Sequence, residues 1–167
     1  MRRGIFISYR DTDTRGYATL LYSELSRTFG PRHIFLDTES ILAGDDFTKA
    51  LVDRVRNAQV LLVLIGSRWL DDVRSGDQTR PIDDPNDWIR RELIEAFATD
   101  TRVIPVLVDQ GRMPAPGDLP EEIAALAQCQ YRRLHRGAAT DVRRIIKELR
   151  TITGLRSPHL MRRLLRA

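Results

Sequence analysis

Six consecutive apolar residues, Val60-Leu61-Leu62-Val63-Leu64-Ile65, constrain this chain more than any other feature. A strand with one wet face alternates apolar and polar residues. A run with no polar interruption is a strand buried on both faces, which belongs to a parallel sheet covered by helices. The rest of the chain supplies the partners. Ile5-Phe6-Ile7-Ser8-Tyr9 reads as a first strand, residues 33–37 as a second, 102–108 as a fourth and 129–134 as a weaker fifth. Helical patterns fall between them. Leu21, Leu25 and Phe29 recur at four-residue spacing over 18–29, and Asp45 or Asp46 caps a helix that runs through Leu51, Val52 and Val55 to Asn57. Trp88, Leu93, Ala96 and Phe97 mark another helix, 119–127 a short one, and 141–153 a last one with Val142, Ile145, Ile146 and Leu149 on one face. Alternation of this kind predicts an α/β fold, a parallel sheet with helices on both faces. Ligands on such sheets bind beyond the carboxyl ends of the strands, here the segments after Tyr9, Leu36, Ile65 and Val108. Pro105 has no N–H for a ladder and argues for an edge or irregular position inside the fourth strand.

A chain of 167 residues, 42% hydrophobic and 30% charged, suits one globular domain. Its expected extent is residues 1–154, with 155–167 a separate basic amphipathic tail broken from the last helix by Pro158. The tail reads as a surface helix or the start of a linker in preference to a membrane or partner contact. No apolar run approaches the ~20 residues that cross a bilayer, and the apolar stretch after Met1-Arg2-Arg3 is too short for a signal peptide, so a cytoplasmic protein is expected. The single cysteine, Cys129, excludes an internal disulfide and a cysteine-rich zinc site, and its place in the expected fifth strand reads as inert core. The net charge of +4 is carried mostly by Arg, which invites a nucleic-acid partner. Yet the Arg residues are interspersed with Asp and Glu, and the two clusters, 132–136 and 156–166, lack the aromatic interleaving of single-strand binders, so no nucleic acid is expected.

Several chemistries are absent. Gly66-Ser67 lacks the glycines and lysine of a phosphate loop, no Gly-x-Ser-x-Gly elbow exists, and His33, His135 and His159 have no metal-ligand spacing. Carboxylates remain. Asp11, Asp13, Asp37, Glu39, Asp45 and Asp46 fall in expected loops at one end of the sheet, where loop and capping roles are the commoner use. Trp88 and Glu92 are four apart and share a helix face. Spacing alone leaves two readings open: a core Trp beside a solvated Glu, or an aromatic plate and a carboxylate that together grip a flat, sugar-bearing ligand.

The ordered motifs resemble a known family. Phe6-Ile7-Ser8-Tyr9-Arg10 resembles the first box of Toll/interleukin-1 receptor (TIR) domains. Phe35-Leu36-Asp37 with Gly44 is similar to their second strand and following loop, Leu62-Val63-Leu64-Ile65-Gly66-Ser67 to the third strand, and Val103-Ile104-Pro105-Val106 to the fourth. The stretch from Asp83-Asp84-Pro85 through Trp88 to Glu92-Leu93 resembles the opening of the helix that carries the catalytic glutamate in NAD-cleaving members, in wording closest to bacterial ones. The resemblance covers residues 4–153. It implies a flavodoxin-like five-stranded parallel sheet and an NAD nucleosidase, a hydrolase or ADP-ribosyl cyclase, in a bacterial immune or stress response. It matches Glu92 to the catalytic glutamate, and Ser8, Arg10, Phe35 and Trp88 to positions near the substrate. Asp37 and Gly44 belong to the loop over the site. NAD+ is then the substrate, with no cofactor or metal, and assembly into a homo-oligomer through TIR–TIR contacts completes the site. The alternative within the same family is a non-catalytic TIR–TIR interaction module. Departure of neutral nicotinamide leaves a cationic ribosyl centre, which a carboxylate stabilises electrostatically, and an Arg at position 10 suits a phosphate oxygen.

Overall fold

The computed structural model describes residues 4–36, 47–71 and 79–155, with side chains from 52 onward in the second of these segments. Strands and helices alternate except between the last two strands, where 3-10 turns replace an α-helix: β1 (Ile5–Ser8), α1 (Asp11–Phe29), β2 (Ile34–Leu36), α2 (Phe47–Asn57), β3 (Val60–Ile65), α3 (Trp88–Ala98), β4 (Arg102–Val108), β5 (Arg132–Leu134) and α4 (Ala139–Thr153). The sheet is parallel throughout, in the order β2-β1-β3-β4-β5. This is the flavodoxin-like winding, whose direction reverses between β1 and β3.

Successive residues of each strand feed opposite layers, as strand geometry requires. Ile5, Ile7, Leu62, Leu64, Val106 and Val108 pack under α1 and α4. Phe6, Leu61, Val63, Ile65, Val103 and Leu107 pack under α2 and α3. The apolar run 60–65 is buried at every position because both layers are occupied.

Helix α1 starts at Asp11, a full two turns before the apolar pattern announces it. Its first turns are polar on the solvent side, and only Thr14 continues inward the stripe of Ala18, Leu21 and Leu25. The Thr14 hydroxyl accepts from the Arg10 N–H at 3.1 Å, while Asp11 and Asp13 stand at the positive end of the helix. Asp11 and Asp13 are therefore helical and not loop residues. Asp37, Glu39, Gly44, Asp45 and Asp46 lie outside the described residues.

Pro105 sits in an inner strand, aligned with Val63. However, β5 pairs with β4 only from Val106 onward, so the missing N–H falls where one side of the ladder has ended. The fifth strand shrinks to Arg132–Leu134, and the short helix before it is 3-10 in form, over Glu121–Gln128. Cys129 thus precedes the strand and terminates that helix, half-buried, its thiol donating to the Ala125 carbonyl at 3.5 Å. Helix α4 ends at Gly154, whose φ of 66° is the left-handed stop that glycine supplies. The tail from 156 onward lies outside the described residues. No helix among the described residues is long and apolar enough to cross a membrane.

Candidate functional site

The carboxyl rim of the sheet, at the reversal between β1 and β3, gathers most of the candidate side chains. Ser8 closes β1, is fully buried, and its hydroxyl has no hydrogen-bond partner among the described residues. Arg10 follows as the N-cap residue of α1. Its guanidinium spans the rim. Nε donates to the Trp69 carbonyl at 3.1 Å, and Nη1 and Nη2 donate to the two Asp87 oxygens at 2.9 and 3.0 Å. The cation also stands 5.7 Å from the centre of the Trp69 ring. Trp69 itself is buried in the turn after β3, with its indole N–H unpartnered among the described residues. At the start of that turn, a Cβ on Gly66 would lie 2.1 Å from an Asp13 oxygen, so glycine leaves room there for the Asp13 carboxylate. That Asp13 oxygen accepts from the Arg68 N–H at 2.9 Å.

Asp87 is the N-cap of α3 and accepts from the Arg90 N–H at 3.1 Å. Trp88 is the first helical residue. It is half-buried, with the Arg91 guanidinium 5.3 Å from its ring centre. Its outer side lines a depression of about 670 Å³ together with Arg80, Pro81, Asp84, Pro85 and Asn86. Arg80 pairs with Asp83 at 2.7 Å and holds that carboxyl below the usual range, hydrogen bonding outweighing partial burial. Arg90 ties the same turn down, with Nη1 donating to the Asp83 carbonyl at 2.7 Å and Nη2 to Glu122 at 3.0 Å.

Glu92 lies one turn into α3 and is 1% exposed, on the flank of the inward stripe Ile89, Leu93 and Ala96. It lines neither the depression at Trp88 nor a second one, of about 510 Å³, walled by Gly66, Trp69, Gln110, Arg112, Met113 and Asp118 beyond β3 and β4.

Phe35 is placed elsewhere. It aligns with Phe6, and its ring leans toward the amino end of the sheet, where a Cβ on Gly4 would meet it at 2.6 Å. The Arg54 guanidinium near the end of α2 stands 5.5 Å from its ring centre. Ser8, Arg10 and the start of α3 are therefore brought to one rim, while Phe35 packs lower in the same apolar layer. Asp37 and Gly44 lie outside the described residues. Two members of the rim escape sequence reasoning. Asp87 carries the N-cap signature, an Asp directly before the first helical residue. Trp69 has no local signal; it stands in a stretch that reads only as loop.

This geometry bears comparison with known proteins. The family model described as TIR domain matches residues 5–149. The chain belongs to the TIR domain family. A relative of this TIR domain, NAD(+) hydrolase sarm1 of Drosophila melanogaster, is 27% identical over 124 residues, 74% of this chain and 8% of that protein. The chain thus spans under a tenth of that relative's length. The TIR domains in the structure of the activated Roq1 resistosome, which directly recognizes the pathogen effector XopQ, match with a TM-score of 0.63 at 14% identity. That match covers 88% of this TIR domain and 99% of the other chain, and it shows the shared fold.

Proposed function

We propose that this TIR domain cleaves the bond between nicotinamide and ribose in NAD+, with Glu92 as the catalytic carboxylate. The observation that carries the reading is a carboxylate 1% exposed on the first turns of α3, four residues after a half-buried Trp and beside the rim where such sheets bind ligands. Packing alone fills a position so buried with an apolar side chain, since an ionised carboxylate there is costly. The similarity to an NAD(+) hydrolase supports the same chemistry. As nicotinamide leaves, positive charge grows on the ribosyl ring, and a fixed carboxylate in a dry site stabilises it more than water would. Trp88 offers an aromatic face to a ring of the substrate. NAD+ is consumed, so no cofactor or metal enters the step.

Glu92 lines neither of the two depressions described at the rim, and in this reading the substrate reaches it once the rim opens. Self-assembly through TIR–TIR contacts is the activating event in this reading, and the resistosome likeness fits it. The Asp83-Asp84-Pro85 wording, which resembles that of bacterial members, supports a bacterial immune or stress role in this reading, with the cytoplasm as its expected place.

The test is nicotinamide release from NAD+ by concentrated protein, with and without a crowding agent, for wild type and Glu92→Ala. Release by wild type that is lost in a folded Glu92→Ala variant is the expected result. Release that survives the substitution rejects Glu92. A wild type inert under every assembling condition returns the chain to the interaction-module reading.

A further inference from the structure

We propose that Arg10 is a positioning residue: its guanidinium fixes the start of α3, and through it Trp88 and Glu92, instead of binding a phosphate of the substrate. The inference rests on the NAD-cleaving reading for its kinetic consequences but not for its geometry. An arginine has five N–H donors in a rigid plane. Three of those of Arg10 are committed within the chain, one to the Trp69 carbonyl and two to the Asp87 carboxylate. The face of the plane is taken by the Trp69 ring. The side chains of Arg10 and Asp87 are each 9% exposed, so the pair is largely shielded from solvent. Two N–H groups remain, one on each Nη, but a phosphate there would have to share its cation with a carboxylate that already holds it in a fork.

The consequence of the pair lies in α3. The Asp87 oxygen that receives Arg10 Nη2 also accepts the Arg90 N–H and so caps the helix. Take Arg10 away and a carboxylate that is 9% exposed loses its cation. It then turns toward water and gives up the cap. The first turn of α3 loosens. Trp88 is in that turn and Glu92 directly follows it. Arg10 also joins the end of β1 to the turn after β3 through Trp69, so a single side chain closes the rim at the reversal of the sheet.

The experiment compares wild type, Arg10→Ala, Arg10→Lys, Asp87→Ala and the double variant Arg10→Ala/Asp87→Ala in the whole chain. The first readout is hydrogen exchange of the backbone amides of residues 88–92, which needs no activity. Each single loss is expected to speed their exchange about tenfold relative to the sheet, the equivalent of one lost cap, and the double variant to add nothing further. Arg10→Lys is expected to behave like Arg10→Ala, because an ammonium cannot fork Asp87 while holding the Trp69 carbonyl. The second readout is steady-state cleavage of NAD+ and of nicotinamide riboside, which carries no phosphate. Positioning predicts a fall in kcat of about 10- to 100-fold with KM nearly unchanged. It also predicts the same loss on both substrates.

A raised KM for NAD+ with an unaffected riboside reaction, or full activity in Arg10→Lys, overturns the proposal in favour of a phosphate ligand. Unchanged exchange in residues 88–92 overturns it whatever the activity. Should the protein release no nicotinamide at all, the NAD reading falls while the exchange data still decide the place of Arg10. If Arg10→Ala does not fold, Arg10→Lys and Asp87→Ala carry the same comparison.

Discussion

Gly111→Ala probes the seam between β3 and β4 at the rim. Gly111 follows the turn that ends β4, and its N–H donates to the Val108 carbonyl at 2.7 Å. A Cβ there would lie 2.0 Å from the Ile65 carbonyl oxygen and 3.0 Å from the Val108 oxygen. A carbon and a carbonyl oxygen rest about 3.3 Å apart, so roughly 1.3 Å must be found. Both offending atoms are backbone, and Ile65 is held in register with Leu107, so no side chain can swing aside. The turn has to move, at an overpacking cost of about 1–3 kcal/mol. It also loses a hydrogen bond of about 1 kcal/mol. The reduced freedom of the unfolded alanine chain offsets about 0.4–1 kcal/mol of this. A net loss of about 1.5–3 kcal/mol lowers Tm by roughly 3–12 °C in a chain of this size. Circular dichroism melts and urea midpoints measure it. Gly16→Ala is the control, because nothing lies within 4 Å of its added Cβ on the exposed side of α1, and it should raise stability by about 0.5–1 kcal/mol. A Gly111→Ala protein that melts within about 2 °C of wild type refutes the close approach of the two strand ends.

Trp88→Ala removes a half-buried ring, so a stability loss of about 1.5–2.5 kcal/mol is expected, with KM for NAD+ raised more than kcat is lowered; an unchanged KM rejects the stacking role. Tyr17 donates to Asp109, which also accepts the Arg136 N–H; this holds the Asp109 carboxyl below its usual range, while burial and then the Asp109 bond push the Tyr17 hydroxyl up. A depressed carboxyl stabilises above its unfolded pKa of about 4, and that contribution is lost as pH falls through the folded value; a raised phenol stabilises below its unfolded pKa of about 10, and that contribution is lost as pH rises through the folded one. The stability difference between wild type and Tyr17→Phe should therefore be flat from about pH 5 to 9 and shrink at both ends in urea titrations, and a difference constant from pH 2 to 11 defeats the assignment. Burial raises the Cys129 thiol, so this lone cysteine should react with a disulfide reagent at pH 8 several-fold more slowly than free cysteine; an equal or faster rate contradicts its placement.

The parts of the fold that were legible in the sequence are those whose periodicity is imposed by burial. The uninterrupted run 60–65 occupies β3 without error because both layers press on it, and the inward stripe of α4 is equally plain. Legibility ends where polar contacts replace burial. The first turns of α1 are exposed and carry charged residues, so nothing apolar marks them as helical. The segment 121–128 winds in 3-10 form, and only Ile123 and Leu126 are buried in it, three apart, a spacing that any helix type allows. The site divides in the same way. Glu92 and Trp88 were visible as a helix-face pair. The engagement of Arg10 by Asp87 was not, because 77 residues separate them and no local pattern encodes an ion pair between the start of one helix and the start of another.

Two features that cost stability meet on one turn of α3. A buried ion pair contributes little net stability, because desolvating both charges cancels most of their attraction. A buried carboxylate costs more still unless its surroundings are polar. A helix built only to cover the sheet needs neither: Ile89, Leu93 and Ala96 already supply the full inward stripe at i, i+4 and i+7. Yet Arg10–Asp87 fixes the first residue of that helix, Trp88, and Glu92 stands four positions later on its buried flank. Local rules are broken together where orientation matters more than stability. The breaks here fall at the carboxyl rim, beside the reversal between β1 and β3, which is where a ligand-binding sheet of this winding requires rigid side chains.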